Sequence, residues 1–238
     1  PPVTRVFANL PAILNNLRHY ERPGRVTTFE ASCYTDPLSI EHLTGSLSRT
    51  IQHFADRPDA ALRWVTKFDA VEPLICLDHG GRTRPRLSLN AASVARRLEG
   101  GTASLDARLA ALRRLALPKA AGGGGYPVGV VLAPIIPVND WRTHYADLLD
   151  GIAGQLDFDC DLTFELITHR FTAGSKEVIQ LWYPNTSLDL DESKRTRKRN
   201  AFGGQKFVFP KEQMRELRTF FEAEIARRFP RARVLYWT

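Results

Sequence analysis

The sequence predicts an α/β protein built around a parallel sheet, and three observations carry that expectation. Five short runs rich in β-branched and aromatic residues alternate with amphipathic helical stretches, which implies parallel strands joined by crossover helices. The run 128–134 (VGVVLAP) is apolar without interruption, as a strand buried on both faces should be. The 238 residues are 43% hydrophobic and 25% charged, ordinary values for one large globular domain, and no apolar stretch is long enough to span a membrane.

The first strand is expected at 26–31 (VTTFEA). A helix over 41–54 follows, with Leu43, Leu47, Ile51 and Phe54 at helical spacing. The second strand is 62–68 (LRWVTKF), then a short helix carrying Val71, Leu74 and Ile75. The third strand is 86–91 (RLSLNA) and the next helix 105–117. After strand four, 141–156 reads as helix, 162–168 (LTFELIT) as the fifth strand, and 178–183 as helix. A doubly wound sheet and a (β/α) barrel both fit this order. The last fifty residues differ. An acidic stretch, 189–192, precedes 194–199 (KRTRKR), where five of six residues are basic. Residues 201–209 (AFGGQKFVF) read as two short strands around Gly203-Gly204. Pro210 opens a helix with Met214, Leu217, Phe221 and Ile225 on one face, and 233–237 reads as a closing strand.

Side chains at the carboxyl ends of parallel strands line the active site in either fold. Those ends carry Glu30, Ser32, Cys33, Thr35 and Asp36; Lys67; Ser88 and Asn90; Ala133-Pro134; and Glu165, His169 and Arg170. Cys33 at such a mouth has three chemical options: nucleophile, redox partner or hydrogen-atom donor. Cys76 and Cys160 are expected to be small buried hydrophobes. Six scattered histidines and no closely spaced cysteine pair argue against a structural metal site. The glycines at 122–125 precede a strand and lack a Gly-Lys-Ser/Thr ending, so they read as a flexible insertion rather than a phosphate loop. A net charge of +7 favours an anionic partner. The basic run beside Phe202, Phe207 and Phe209 either grips phosphates or is a solvated loop paired to Asp189, Asp191 and Glu192. Three widely spaced cysteines suit a reducing compartment, and the expected location is the cytoplasm.

Particular segments sharpen this picture. Residues 29–33 (FEASC), Asp36-Pro37, 40–44 (IEHLT), 65–68 (VTKF), 88–91 (SLNA), 126–129 (YPVG), 133–135 (API), 164–167 (FELI) and 169–171 (HRF) stand in an order that resembles the spore photoproduct lyase family. These are DNA-repair enzymes of the radical S-adenosylmethionine superfamily, and the likeness covers nearly the whole chain. The resemblance implies a partial (β/α)6 radical S-adenosylmethionine barrel, five of six strands being present, with a basic C-terminal hairpin and a closing helix and strand. It divides the chain into a partial barrel (1–190), a DNA-binding hairpin (191–209) and a C-terminal helix and strand on the barrel (210–238). It implies splitting of the spore photoproduct, a methylene-bridged thymine dimer in UV-damaged DNA, back to two thymines. S-adenosylmethionine on a 4Fe–4S cluster would supply the radical. Cys33 falls on the family's hydrogen-atom donor. Thr35, Lys67, Ser88 and Ala133 fall on the S-adenosylmethionine pocket, with Asp36 and Asn90 beside them. Arg195, Arg197, Lys198, Arg199, Phe202 and Lys206 fall on the DNA-contacting hairpin, Phe202 standing in for a tyrosine. The expected partner is DNA, without a membrane, and the expected state a monomer.

The sequence departs from the family's pattern in two places. The C-x3-C-x2-C cluster motif is absent: Cys33, Cys76 and Cys160 lie 43 and 84 residues apart. The chain begins Pro1-Pro2 with its one methionine at position 214, and the expectation is a piece of a longer protein whose cluster ligands precede Pro1 and which is inactive alone. Tyr34-Thr35 stands where Thr-Ser is familiar. Two other readings keep the fold: a non-catalytic nucleic-acid-binding homologue, and a radical S-adenosylmethionine enzyme acting on a different substrate.

Overall fold

A computed structural model describes residues 5–32, 35–199 and 203–238. Six parallel strands form one curled sheet in the order β1-β2-β3-β4-β5-β8. They are β1 (Thr27–Ala31), β2 (Ala60–Thr66), β3 (Thr83–Leu89), β4 (Val128–Ile135), β5 (Leu162–Thr168) and β8 (Arg233–Trp237). The first five are the strands of the βα series. The sixth is the closing strand, hydrogen-bonded parallel to β5, so the sheet is a half-barrel with β1 and β8 as its edges. Sequential neighbours throughout agree with right-handed crossovers of a barrel rather than a doubly wound order, whose strands would reverse about a switch point.

Helices α3 (Ser46–Ala55), α6 (Leu105–Ala116), α7 (Trp141–Gln155) and α9 (Lys211–Arg228) cover the outer face. Their apolar stripes supply Ile51, Phe54, Leu112, Leu115, Leu149, Leu217 and Phe221 to a core shared with Leu62, Trp64, Leu87, Leu89, Val130, Leu132, Phe164 and Leu166 of the strands. Exposure alternates along β2, with Leu62 and Trp64 buried under the helices and Arg63 and Val65 turned to the concave side. Along β4 and β5 burial is nearly continuous, as central strands require.

The concave face carries a ring of charges. Arg86 Nη1 pairs with Glu165 (2.8 Å), Arg86 with Glu30, and Arg63 Nε with Glu30 (2.6 Å). Gly129 makes room for it: a Cβ there would stand 2.7 Å from Arg86 Cγ and 2.9 Å from Thr163 Oγ1.

Several boundaries differ from the sequence expectation for local reasons. The helix expected over 41–54 is two helices, α2 (Glu41–Thr44) and α3, because Gly45 adopts φ 59° and ends the first. The buried Glu41 carboxylate then caps α3, accepting from Leu47 N (2.7 Å) and Ser48 N (2.9 Å). The hairpin's first strand is the basic run itself: β6 (Thr196–Arg199) pairs antiparallel with β7 (Gln205–Val208). Two helices had no counterpart in the sequence reading, α1 (Leu10–Asn16) and α5 (Ala92–Leu98). The remaining helices are α4 (Glu72–Ile75) and α8 (Ala173–Trp182). Cys76 is exposed and Cys160 half-buried, so the expectation of two buried thiols fails: Cys76 caps the short α4 on its solvent side.

Candidate functional site

The site is the mouth at the carboxyl ends of the strands, where loops from β1 to β4 are tied into one hydrogen-bonded frame. After β1 the chain turns at Ser32, a non-glycine residue with φ 63°, and Ser32 Oγ shares a hydrogen bond with Thr35 Oγ1. Asp36 bridges to the next strand. Its Oδ2 accepts from Lys67 N (2.7 Å) and Thr66 Oγ1 (2.9 Å), and its Oδ1 from Leu38 N (3.1 Å). Burial pushes the Asp36 carboxyl above its ordinary range, although these bonds pull the other way. Both oxygens are committed to the protein, so Asp36 acts as a brace.

Lys67 stands at the end of β2. Its Nζ donates to Glu99 Oε1 (2.5 Å) and lies 3.4 Å from the Ala133 carbonyl. Glu99 is held from behind by Arg108, whose Nη1 reaches Glu99 Oε2 and the Ser88 carbonyl, both at 2.8 Å. Arg108 is 1% exposed and the Glu99 side chain 6%. Burial lowers the Lys67 ammonium below its usual range, and the adjacent Glu99 carboxylate opposes that fall. Burial works to raise Glu99, but the charges of Lys67 and Arg108 overcome it and the carboxyl sits low. The two groups form a close, buried ion pair.

Asn90 completes the frame. Its Nδ2 donates to the Pro134 carbonyl (2.8 Å), and its Oδ1 accepts from Tyr145 Oη (2.9 Å), which in turn accepts from Ile136 N (2.9 Å). The Ser88 hydroxyl lies on the concave side with Arg86 and takes no hydrogen bond among the described residues. Of the six expected cofactor residues, Asp36, Lys67, Asn90 and Ala133 thus meet in one frame, Ser88 adjoins it through Arg108, and Thr35 stays with Ser32. Cys33 lies outside the described residues, one position beyond Ser32.

The hairpin docks beside this mouth through a small apolar cluster of Phe171, Leu190 and Phe207. Phe207 N donates to the Phe171 carbonyl (2.7 Å) and Phe171 N to that of Phe207 (3.2 Å). Arg195 belongs to this joint. It donates to the carbonyls of His169 and Asp189 (both 3.2 Å) and stacks over Phe209 with its guanidinium carbon 3.8 Å from the ring centroid. It is thus a brace rather than a free cation. Arg197, Lys198 and Arg199 are exposed along β6, and Lys198 faces Lys206 across the ladder. Phe202 lies outside the described residues. His169 sits behind Arg195, and burial, helped by that guanidinium, lowers its imidazole to about 4, so it is neutral at physiological pH.

Sequence reasoning missed Glu99 and Arg108. Glu99 follows α5, a helix too short to announce itself by periodicity. Arg108 sits on the inner side of α6, where a charged residue reads as solvent-facing.

These residues suit a ligand with both carboxylate and ammonium groups. The Lys67 ammonium, the Ala133 carbonyl and the unpartnered Ser88 hydroxyl offer donors and acceptors at one place, and S-adenosylmethionine has those groups. An iron–sulfur cluster is not matched: among the described residues no three His, Cys, Asp or Glu side chains converge as metal ligands, and the three cysteines are far apart in sequence.

Known proteins align with this chain over its whole length. A family profile described as "Spore photoproduct lyase" matches residues 1–238. The spore photoproduct lyase of Geobacillus sp. (strain Y412MC61) is 43% identical over 241 residues, covering 100% of this chain and 69% of that protein. That of Bacillus subtilis (strain 168) is 41% identical with the same coverage. That of Clostridium acetobutylicum is 31% identical, covering 99% of this chain and 68% of that protein. A solved spore photoproduct lyase complexed with dinucleoside spore photoproduct superposes with a TM-score of 0.91 at 40% identity, covering 98% of this chain and 68% of that one. A double mutant with bound AdoMet and dinucleoside spore photoproduct gives the same values.

Proposed function

The chain belongs to the spore photoproduct lyase family, and we propose from that premise that it is the part of a DNA-repair lyase that holds S-adenosylmethionine and the thymine lesion. The observation that carries this reading is the frame at the mouth, where Lys67, held by Glu99, stands beside the Ala133 carbonyl, with the Ser88 hydroxyl, unpartnered among the described residues, next to it. Residues 1–190 supply that mouth, 191–209 the DNA-facing hairpin and 210–238 the helix and strand that close the sheet.

Lys67 would bind the carboxylate of S-adenosylmethionine, the Ala133 carbonyl its ammonium group, and Ser88 and Thr35 its remaining polar atoms. Asp36 and Asn90 fix the loops that carry those contacts. When bound, the cofactor supplies the radical that takes hydrogen from the lesion. The chain's own residues orient it and shape the mouth, and cluster ligation is not among their tasks. Cys33, directly after Ser32, is assigned the return of hydrogen. Its S–H bond breaks, a C–H bond forms on the product thymine radical, and a sulfur-centred radical remains on Cys33.

Arg197, Lys198, Arg199 and Lys206 supply positive charge for the DNA backbone, Phe202 is assigned an apolar contact with the DNA, and Arg195 holds the hairpin in place. Extruding a damaged base step into the mouth costs less than extruding an intact one. No helix among the described residues is long and apolar enough to cross a membrane. Free thiols at Cys76 and Cys160 suit the reducing cytoplasm, and we assign a monomer there.

Calorimetric titration with S-adenosylmethionine, then with dinucleoside spore photoproduct, tests this reading. Binding of both, with the first lost in Lys67→Met, supports it. A folded protein that binds the lesion but not the cofactor would leave a nucleic-acid-binding homologue as the better description.

A further inference from the structure

We propose that Arg170, Lys198 and Lys206 form a binding site for one phosphodiester group, set at the rim of the mouth where β5, β8 and the hairpin meet, with the Tyr236 hydroxyl as a fourth polar contact. The proposal rests on the mouth being the lesion site, and it says which part of the lesion strand is gripped first.

The backbone brings the three cations together. Lys198 and Lys206 are direct partners in the antiparallel ladder, an arrangement in which like charges repel. The mutual bonds of Phe171 and Phe207 join the hairpin to the end of β5. Arg170 and Lys206 each precede one member of that pair, so they project on the same face of the pairing, opposite to the two phenylalanine rings. Burial and then the charges of Arg170 and Lys198 lower the Lys206 ammonium below its usual range. Hydrogen bonding with Thr238, reinforced by Arg170 and Lys206, lowers the Tyr236 phenol. Lys206 thus stands at the centre of the group, beside Arg170, Lys198 and Tyr236.

Among the described residues no carboxylate answers this charge. Among the described residues none of the three cations has an acidic group within ion-pair distance, whereas nearby cations do. Lys176 pairs with Glu192 (3.1 Å), and Lys194 with Asp189 and Asp191 (both 3.6 Å). The acidic stretch 189–192 is therefore spent on other partners. Arg170 is also pre-positioned: Nη1 donates to Thr238 Oγ1 (2.8 Å), which fixes the guanidinium. A fixed guanidinium with two ammonium groups and a hydroxyl suits an oxyanion with two free oxygens. The exposed Arg197 and Arg199 alternate with Lys198 along β6 and turn to the hairpin's other face, Arg197 over the Phe207 ring, so Lys198 and Lys206 are left with Arg170 on this one. A phosphate held here would stand beside the mouth and set which base step enters it.

The test compares spore photoproduct as a dinucleoside and as the phosphate-bearing dinucleotide, by calorimetry with S-adenosylmethionine present. Wild-type protein is expected to bind the dinucleotide about tenfold more tightly. Arg170→Gln should erase most of that ratio, and Arg170→Lys should restore part of it. A wild-type ratio of one, or a ratio undiminished in folded Arg170→Gln, overturns the proposal. If neither ligand binds, the lesion reading fails instead. The site is then judged with undamaged oligothymidylate, where Arg170→Gln should reduce the slope of log affinity against log salt by about 0.7, and an unchanged slope refutes the site.

Discussion

The mouth and the hairpin are both rich in charge, and they use it in opposite ways. At the mouth the charges are buried and paired: Lys67 with Glu99, Glu99 with Arg108, Arg86 with Glu30 and Glu165. Along the hairpin Arg197, Lys198 and Arg199 are exposed, with no carboxylate in ion-pair range among the described residues. A paired, dehydrated charge is costly to build and holds its neighbours in one geometry, which suits a small cofactor. An unpaired, solvated cation costs little and binds by releasing counterions, which suits a polyanion. Arg195 marks the border, since it lies in the basic run yet stacks on Phe209 and bonds to the His169 carbonyl.

This contrast can be broken at several points, and the largest effect is expected in the concave ring. Arg86→Met should destabilise the fold by about 3 kcal/mol, because Glu30 and Glu165 would lose their buried partner; urea unfolding measures it. Acid should act next, through His169. Its folded pKa of about 4 lies below the unfolded value, so the unfolded chain binds the extra proton and stability falls as pH drops from about 6.5 to 4. The loss should be about 3 kcal/mol, and thermal melts of His169→Gln should show that much less pH dependence over this window.

Glu99→Gln should weaken S-adenosylmethionine binding about tenfold, and more at high pH, because Lys67 then lacks the carboxylate that sustains its charge. Titration calorimetry at two pH values reads this. Arg195→Ala should loosen the hairpin by about 1 kcal/mol, seen as faster amide exchange over 196–208 with the barrel unchanged.

The strands were legible because each βα unit repeats one pattern. The fifth strand over 162–168 and the closing strand over 233–237 match the structure to the residue. The strand ends then pointed to Asp36, Lys67, Asn90 and Ala133, since parallel topology alone places them at one mouth. What pairing does with those side chains was not legible. Nothing local in the sequence says that Asp36 spends both oxygens on Leu38, Thr66 and Lys67, or that Arg108 turns inward to hold Glu99. The hairpin around Gly203-Gly204 was legible, but its first strand was placed too late, within 201–209: basic residues have weak strand propensity, and pairing with β7 makes 196–199 the strand. The break at Gly45 was missed, because the apolar spacing runs through it and the Glu41 cap that makes it favourable is a contact of the fold.

The most direct measurement of this division of labour is the salt dependence of affinity for a thymidine-containing DNA duplex, alongside affinity for S-adenosylmethionine. It would be made in wild-type protein and in Arg197→Gln/Lys198→Gln/Arg199→Gln. The account predicts a slope of log affinity against log salt smaller by about 2 to 3 in the variant, with cofactor affinity unchanged. Equal slopes, or a parallel loss of cofactor binding, would contradict it.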